Sequence, residues 1–173
     1  MPALSHLLRR FLGLEGSRRA VVLTQSLEPA SSTYPGDWTG PVAPYGPLED
    51  GIGPGEVVWA HVPFEEDHSQ GKDRPALVVG HDSGWVLGLP MTSQDHDRDE
   101  DQERRAGRHW IDVGSGGWDR QRRRSEARVD RIVRLDPSTV RREGGLVDEG
   151  VYQAVVTAVD AVRRGEAYDD DPV

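Results

Sequence analysis

The chain contains no cysteine, which excludes a disulfide framework, a thiol nucleophile and a cysteine-based zinc site. Long apolar runs are also missing, and none approaches the ~20 residues that a helix needs to span a bilayer. The N-terminal pairs Arg9-Arg10 and Arg18-Arg19 flank only a short, interrupted apolar stretch without a small-residue cleavage site, so no signal peptide is predicted. These absences predict a cytoplasmic protein that does not enter a membrane.

Basic residues are outnumbered by acidic ones, 21 against 30, and the net charge of −9 argues against a nucleic-acid partner when it is taken over the whole chain. The charge is unevenly distributed, however. Residues 120–134 hold seven arginines and two acids, a balance of 7 − 2 = +5, whereas residues 135–173 hold four arginines and nine acids, 4 − 9 = −5. Such a basic segment can bind a polyanion, although a solvated arginine-rich loop gives the same pattern.

A β-hairpin is predicted in the middle of the chain. Two short apolar runs, 76–79 and 85–89, flank the turn-forming residues 81–84. Arg74 precedes the first run and Thr92 follows the second. Because the start of one antiparallel strand lies beside the end of the next, both residues are expected at the same end of the hairpin. A guanidinium beside a hydroxyl group suits an anionic oxygen, most obviously that of a phosphate.

Three ordered sequence blocks resemble the MazF/PemK family of toxin ribonucleases. The blocks are Gly55-Glu56-Val57-Val58-Trp59, Arg74-Pro75-Ala76-Leu77-Val78-Val79 and Pro90-Met91-Thr92-Ser93-Gln94. Three blocks in this order are far more specific than any one of them. The resemblance covers about Gly55 to Val162 and implies a small SH3-like barrel.

The resemblance also implies a function. It predicts a sequence-specific, metal-independent endoribonuclease, the toxin of a type II toxin–antitoxin system, which cleaves single-stranded RNA by attack of the ribose 2′-OH and needs no cofactor. The implied partners are messenger RNA, a cognate antitoxin protein and a second copy of the chain in a homodimer. Arg74 and Thr92 are the predicted catalytic residues, because they can bind the non-bridging phosphate oxygens. The predicted RNA-binding residues are Gln70, Ser93, Gln94, Arg128 and Arg131.

Asp73 departs from the family pattern, in which many members have histidine before the arginine. Its carboxylate could hold Arg74 in place or weaken its attraction for phosphate. In a purely structural alternative, Arg74 pairs with Asp73 or Glu56, and Thr92 and Gln94 only close a turn. Two further alternatives are a non-catalytic barrel toxin that grips a protein, as gyrase-poisoning relatives do, and a barrel that has lost catalysis and only binds a partner.

The remaining patterns predict a mainly β (α+β) domain. Strands are expected at 57–62, 109–113 and 127–133, in addition to the hairpin. Valines recur at helical spacing behind Asp148, which can cap the helix, and these predict a C-terminal helix that packs on the sheet: Val151, Val155, Val159 and Val162. The expected fold is therefore a small antiparallel barrel of about five to seven strands, closed by this helix.

Four regions are predicted along the chain: an N-terminal extension over 1–25, a Pro/Gly-rich and poorly ordered linker over 26–54, the barrel over 55–164 and an acidic tail over 165–173. The extension contains a short amphipathic helix at residues 4–12, where apolar residues recur at helical spacing. The tail is either a disordered solubilising segment or a segment that lies near the basic residues 120–134 and acts on them in cis.

Two smaller predictions concern residues near the hairpin. Trp110 is interpreted as a core residue of its strand rather than a base-stacking one. Asp95-His96-Asp97 lacks converging ligands elsewhere in the sequence, and no metal site is predicted there.

Overall fold

The computed structural model describes residues 33–93 and 100–173. Over these residues the chain forms seven strands and two α-helices, which are listed in chain order: β1 (Glu56–Pro63), β2 (Gly71–Asp82), β3 (Trp85–Thr92), α1 (Glu100–Arg105), β4 (Trp110–Asp112), β5 (Glu126–Arg128), β6 (Val133–Leu135), β7 (Arg141–Leu146) and α2 (Glu149–Arg164). The prediction of a mainly β fold with a C-terminal helix is confirmed. None of these helices is long and apolar enough to cross a membrane.

The strands form one antiparallel sheet in the order β4-β5-β3-β2-β1-β7, and β6 also pairs with β3. The predicted hairpin is β2–β3, whose register pairs Ala76 with Pro90 and Asp82 with Trp85. Strands β4 and β7 lie at the two ends of this path and are not paired with each other within the described part of the chain, so the sheet is not closed. The SH3-like barrel stays a prediction.

Side chains of the central strands are buried on both faces of the sheet because alternate residues point in opposite directions. On one face, Val57 and Leu77 join the core that contains Tyr152 and Val155 of α2. On the other face, Val58 lies in a second cluster with residues of β2, β3 and β6. The predicted packing of the valine stripe against the sheet is therefore confirmed.

Helix α2 has sequence signals at both ends. Asp148 occupies the N-cap position, as predicted, although its side chain makes no capping hydrogen bond. At the other end Gly165 adopts a left-handed conformation with φ of 69°, and its N–H donates to the carbonyls of Ala161 and Val162. Glycine favours this conformation because it carries no Cβ.

The predicted strand at 127–133 is wrong in extent, because the chain bends between β5 and β6. The Asp130 carboxylate accepts a hydrogen bond from the His109 N–H at 2.7 Å and also binds Arg128. A side chain thus replaces a backbone acceptor at this point. Strand β7 was not among the predicted strands, and it contains the pair Gly144-Gly145. A Cβ at Gly144 would come within 2.3 Å of the Val57 carbonyl oxygen, so glycine is what allows β7 to approach β1.

The described part of the predicted linker, residues 33–54, contains no helix or strand but is packed on the domain. Trp38, Val42 and Tyr45 contact the core beneath α2. The Trp38 N–H donates to the Ile132 carbonyl at 2.7 Å. These contacts differ from the expectation of a poorly ordered segment. The predicted helix at 4–12 lies outside the described residues, and the four-region division stays a prediction.

Candidate functional site

A cleft of about 490 Å³ opens where β2 begins and β3 ends. Five of the seven residues predicted as catalytic or RNA-binding line it together: Arg74, Thr92, Ser93, Arg128 and Arg131. Gln70 is not among the lining residues. Its side-chain amide donates to Asp67 within the exposed β1–β2 loop. Gln94 lies outside the described residues.

The hairpin brings Arg74 and Thr92 to the same end of β2 and β3, which are central strands of the sheet. The β2–β3 register pairs Leu77 with Leu89 and Ala76 with Pro90. Extended by two residues, this register sets Thr92 opposite Arg74. Both side chains are half-buried on the wall of the cleft. The juxtaposition that the sequence predicted is therefore present, and the catalytic role of both residues is taken up under the proposed function.

Arg74 is half-buried, yet no hydrogen bond or ion pair joins its guanidinium to any residue within 33–93 or 100–173. Burial lowers the pKa of Arg74, and the positive charges of Arg131 and Arg128 lower it further. Both effects make the arginine less stable as a cation, and an anion that entered the cleft would oppose them. Arg74 is therefore a half-buried cation that no carboxylate among the described residues neutralises.

The two carboxylates that could have neutralised Arg74 bind other arginines. Asp73 is exposed and pairs with Arg141 of β7 at 2.6 Å. Glu56 pairs with Arg142 at 3.0 Å. The alternative in which Arg74 pairs with Asp73 or Glu56 is therefore wrong.

Arg128 is almost buried and is held by two carboxylates. Its guanidinium donates to Asp130 at 2.8–3.1 Å and to Glu65 of the β1–β2 loop at 2.9 Å. Burial alone would lower the pKa of Arg128, but the hydrogen bonds to Asp130 and Glu65 outweigh it and raise that pKa. Glu65 is the more exposed of the two carboxylates, with 49% of its side chain accessible against 13% for Asp130.

Arg131 is equally well held, by a different set of partners. It donates to Asp37 at 2.6 and 3.3 Å and to the Pro63 carbonyl at 2.9 Å. Each of the two arginines thus uses N–H groups on all three of its nitrogens, out of the five N–H groups that a guanidinium carries. Arg128 and Arg131 line the cleft, but most of their donor capacity is already committed.

Aromatic side chains form a second part of the cleft wall: Trp59, Phe64, Trp110 and Trp118. The indole of Trp59 donates to the Trp118 carbonyl at 3.2 Å, which joins β1 to the loop after β4. Trp110 is half-buried and its indole donates to Glu103 of α1 at 3.3 Å. The interpretation of Trp110 as a core residue is therefore wrong, because Ile111 is the residue of β4 that enters the core.

The acidic tail is docked on the domain. Tyr168 donates to the Trp110 carbonyl at 2.9 Å, and Asp171 pairs with Arg124 at 2.5 Å. The tail thus lies beside the basic residues 120–134, which agrees with the second of the two predictions for the tail. Among the described residues, however, none of 166–173 lines the cleft. Because the tail contacts Arg124 but does not enter the cleft, inhibition of RNA binding by the tail stays a prediction.

Metal binding has no candidate within the described residues, where no cluster of three or more histidine or acidic side chains could hold an ion. The Asp95-His96-Asp97 motif lies outside these residues.

The fold and the cleft define a small antiparallel β domain in which one end of the central hairpin carries a half-buried arginine and a threonine, and four further arginines line the same cleft. A family described as the PemK-like, MazF-like toxin of type II toxin–antitoxin systems matches residues 53–162, more than half of the chain. The chain therefore belongs to this toxin family, and the resemblance seen in the three sequence blocks is confirmed. No curated protein matches the chain in a sequence search.

Proposed function

We propose that the chain is the endoribonuclease toxin of a type II toxin–antitoxin system and that the cleft is its active site. Membership of the PemK-like, MazF-like family supports the toxin assignment. The observation that carries the assignment of the site is Arg74, a half-buried cation with no described counter-charge, beside Thr92 and next to two further arginines. A phosphodiester would supply the missing negative charge.

The reaction that fits this set of residues is internal transesterification of RNA. The 2′-oxygen attacks the adjacent phosphorus and gives its proton to solvent water, and the bond from phosphorus to the 5′-oxygen breaks as that oxygen takes a proton from solvent water. The products are a 2′,3′-cyclic phosphate and a 5′-OH end. No metal takes part in this scheme.

Arg74 acts in this scheme by stabilising charge on the non-bridging oxygens, and Thr92 donates a hydrogen bond to one of them. An arginine remains protonated at neutral pH and is a poor general base, even when its pKa is lowered. Ser93 and Gln94 position the RNA backbone. Arg128 and Arg131 contribute positive potential and their uncommitted N–H groups, and Gln70 contacts RNA from the β1–β2 loop.

The proposed partners follow from the family. They are single-stranded messenger RNA as substrate, a cognate antitoxin, and a second copy of the chain in a cytoplasmic homodimer with an SH3-like barrel in each protomer. The aromatic wall supports the choice of a single-stranded substrate, because unstacked bases can stack on tryptophan and phenylalanine side chains.

One observation favours the second candidate, a non-catalytic toxin or binding module that grips a protein. The cleft is lined by nearly equal numbers of basic and acidic side chains, six against five: Lys72, Arg74, Arg108, Arg123, Arg128 and Arg131, and Glu65, Glu66, Asp73, Glu103 and Asp119. A cleft that is locally neutral attracts a polyanion less strongly than a basic one does. Catalysis by Arg74 needs only one uncompensated cation at the phosphate, so the ribonuclease remains the better-supported function.

The test is cleavage of a long, mixed-sequence single-stranded RNA by the purified protein in the presence of EDTA. Fragments whose ends carry 2′,3′-cyclic phosphate and 5′-OH are expected. Fragments with 3′-OH and 5′-phosphate ends, or a requirement for a divalent ion, would contradict the mechanism. Intact RNA together with capture of a protein target would favour the second candidate.

A further inference from the structure

Residues 34–38, here called the strap, precede the part of the chain that matches the toxin family, which begins at residue 53. The family match therefore does not account for them. The strap nevertheless reaches one of the cleft arginines directly, because Asp37 binds Arg131. This contact joins two residues that are 94 positions apart in the sequence.

Asp37 grips Arg131 through both of its carboxylate oxygens. One oxygen accepts from Nε at 2.6 Å and the other accepts from an Nη at 3.3 Å. The remaining Nη donates to the Pro63 carbonyl at 2.9 Å. A guanidinium held by a two-point contact and a third hydrogen bond has little rotational freedom. Only 7% of the Arg131 side chain is exposed, so water cannot readily replace a lost partner.

The strap is itself fixed by contacts that do not involve Arg131. The Trp38 N–H donates to the Ile132 carbonyl, and the Arg134 guanidinium donates to the Gly36 carbonyl and lies 5.2 Å from the Trp38 ring. The Tyr34 hydroxyl donates to Asp37 at 2.5 Å. Asp37 is thus an anchored carboxylate and not a mobile surface acid that happens to meet Arg131.

The strap also touches the β1–β2 loop. The Tyr34 ring lies 4.7 Å, centroid to centroid, from the ring of His68 in the β1–β2 loop. Glu65 and Glu66 of the same loop line the cleft. One short segment therefore contacts both an arginine of the cleft and the loop that bounds it.

We propose that Asp37 is a positioning residue for the active site, holding the Arg131 guanidinium in the orientation in which it faces the scissile phosphate beside Arg74. The inference rests on the proposed ribonuclease function. Asp37 is not itself a catalytic residue, because it does not line the cleft and acts only through Arg131. Without its carboxylate, Arg131 keeps its charge but loses its orientation.

The test is Asp37→Asn, which keeps the shape of the side chain and removes its charge. Loss of orientation should lower kcat about tenfold or more, since small displacements at a reacting centre are costly. KM should stay the same or fall, because the cleft gains one net positive charge. A merely structural role would reduce the folded fraction and leave KM unchanged and kcat per folded molecule intact. Both constants are therefore measured on protein whose folded fraction is known from circular dichroism.

Glu56→Gln is the matched control. Glu56 binds Arg142 through both carboxylate oxygens, at 3.0 and 3.1 Å, as Asp37 binds Arg131. Neither Glu56 nor Arg142 lines the cleft. Because this pair lies away from both the cleft and the strap, Glu56→Gln should leave kcat at the wild-type value.

A lower kcat without a higher KM in Asp37→Asn alone would support the inference. Equal kcat values in the two variants, or a raised KM with kcat unchanged, would overturn it. If Asp37→Asn does not fold, Tyr34→Phe removes the hydroxyl that binds Asp37. A lowered kcat at unchanged KM then supports the inference, and wild-type constants overturn it. Wild-type protein that leaves RNA intact would instead refute the proposed function, and this inference with it.

Discussion

Glu65 lines the cleft and binds one of its arginines, and we predict that Glu65→Gln lowers KM for RNA. Glu65 contacts Arg128 at 2.9 Å from the exposed β1–β2 loop. Arg128 would still be held by Asp130 after the substitution, at 2.8–3.1 Å. The substitution therefore removes the Glu65 carboxylate, which competes with phosphate for Arg128, while Asp130 still holds Arg128.

The size of the change in KM follows from the solvent exposure of the Glu65–Arg128 ion pair. Glu65 is half-exposed, so the interaction belongs near the upper end of the range for surface ion pairs, about 1 kcal/mol. An RNA phosphate that replaces Glu65 must first overcome this interaction. Removing it should lower KM about fivefold, since 1.36 kcal/mol corresponds to a factor of ten. We expect kcat to stay unchanged, because RNA phosphate displaces the Glu65 carboxylate before the chemical step.

The pH dependence of this difference in KM has a definite sign. The hydrogen bond from Arg128 lowers the pKa of Glu65, so the carboxylate stays ionised when an ordinary glutamate would begin to be protonated. The pair is present at neutral pH and is lost only as the pH falls through this lowered pKa. The difference in KM between wild type and Glu65→Gln should therefore persist from neutral into mildly acidic solution.

The assay is steady-state cleavage of a short single-stranded RNA that contains the mapped cleavage site. Glu66→Gln is the matched control, because Glu66 lines the same cleft from the adjacent loop position and makes no ion pair with a described residue. At physiological ionic strength, charges separated by more than about 8 Å are largely screened, so the general effect of losing one negative charge should be small. Equal KM values for the two variants, or a higher KM for Glu65→Gln, would refute the reasoning.

The remaining predictions concern the catalytic pair. Arg74→Ala should lower kcat by about 10²–10³ or more, and Arg74→Lys should restore little of it because the planar fork is lost. Arg164→Ala on α2, which is outside the cleft and pairs with Glu166, should retain wild-type activity, and equal losses in the two alanine variants would contradict the role of Arg74. Thr92→Val should cost about 10²–10³ in kcat through loss of one hydrogen-bond donor. Its unfolding temperature should change little, because the side chain lies at the rim of the sheet, and wild-type cleavage by this variant would remove Thr92 from the mechanism.

The hairpin and the meeting of Arg74 with Thr92 could be predicted because both depend on local pattern. Two short apolar runs indicate two strands, the turn residues between them make the strands antiparallel, and this direction brings their outer ends together. Helix α2 could also be predicted, from the helical spacing of its valines and from Asp148 at its N-cap position. These features need no information from distant parts of the chain.

Most of the charge pairing of residues 120–134 could not be predicted, since the partners Asp112, Glu65, Asp82 and Asp37 lie 12 to 94 positions away from their arginines. Of the described pairs that these residues make, only Arg123–Asp119 and Arg128–Asp130 are local in sequence. The segment 120–134 carries a local balance of +5, yet five of its seven arginines pair with carboxylates: Arg123, Arg124, Arg128, Arg131 and Arg134. Asp73 was expected to influence Arg74, its sequence neighbour. Alternation along β2 instead directs it to Arg141. A charge count along the sequence therefore overstates how basic this surface is.

Strand β7 and the position of Trp110 were missed for related reasons. Gly144-Gly145 is a turn signal in isolation, and only the close approach of the Val57 carbonyl reveals why glycine is needed within a strand. Trp110 and Ile111 both fit a core position by composition. Which of them points inward depends on how β4 pairs with β5, where Ile111 lies opposite the buried Ala127.

The most direct measurement of the central claim compares two RNA oligonucleotides that differ only at the cleaved position. One carries ribose throughout, and the other has a single 2′-deoxyribose on the 5′ side of the scissile phosphate. Because the proposed nucleophile is the 2′-OH, the deoxy oligonucleotide should bind with similar affinity and resist cleavage. Cleavage of the deoxy oligonucleotide at the rate of the all-ribose one would contradict 2′-OH attack in the Arg74 cleft.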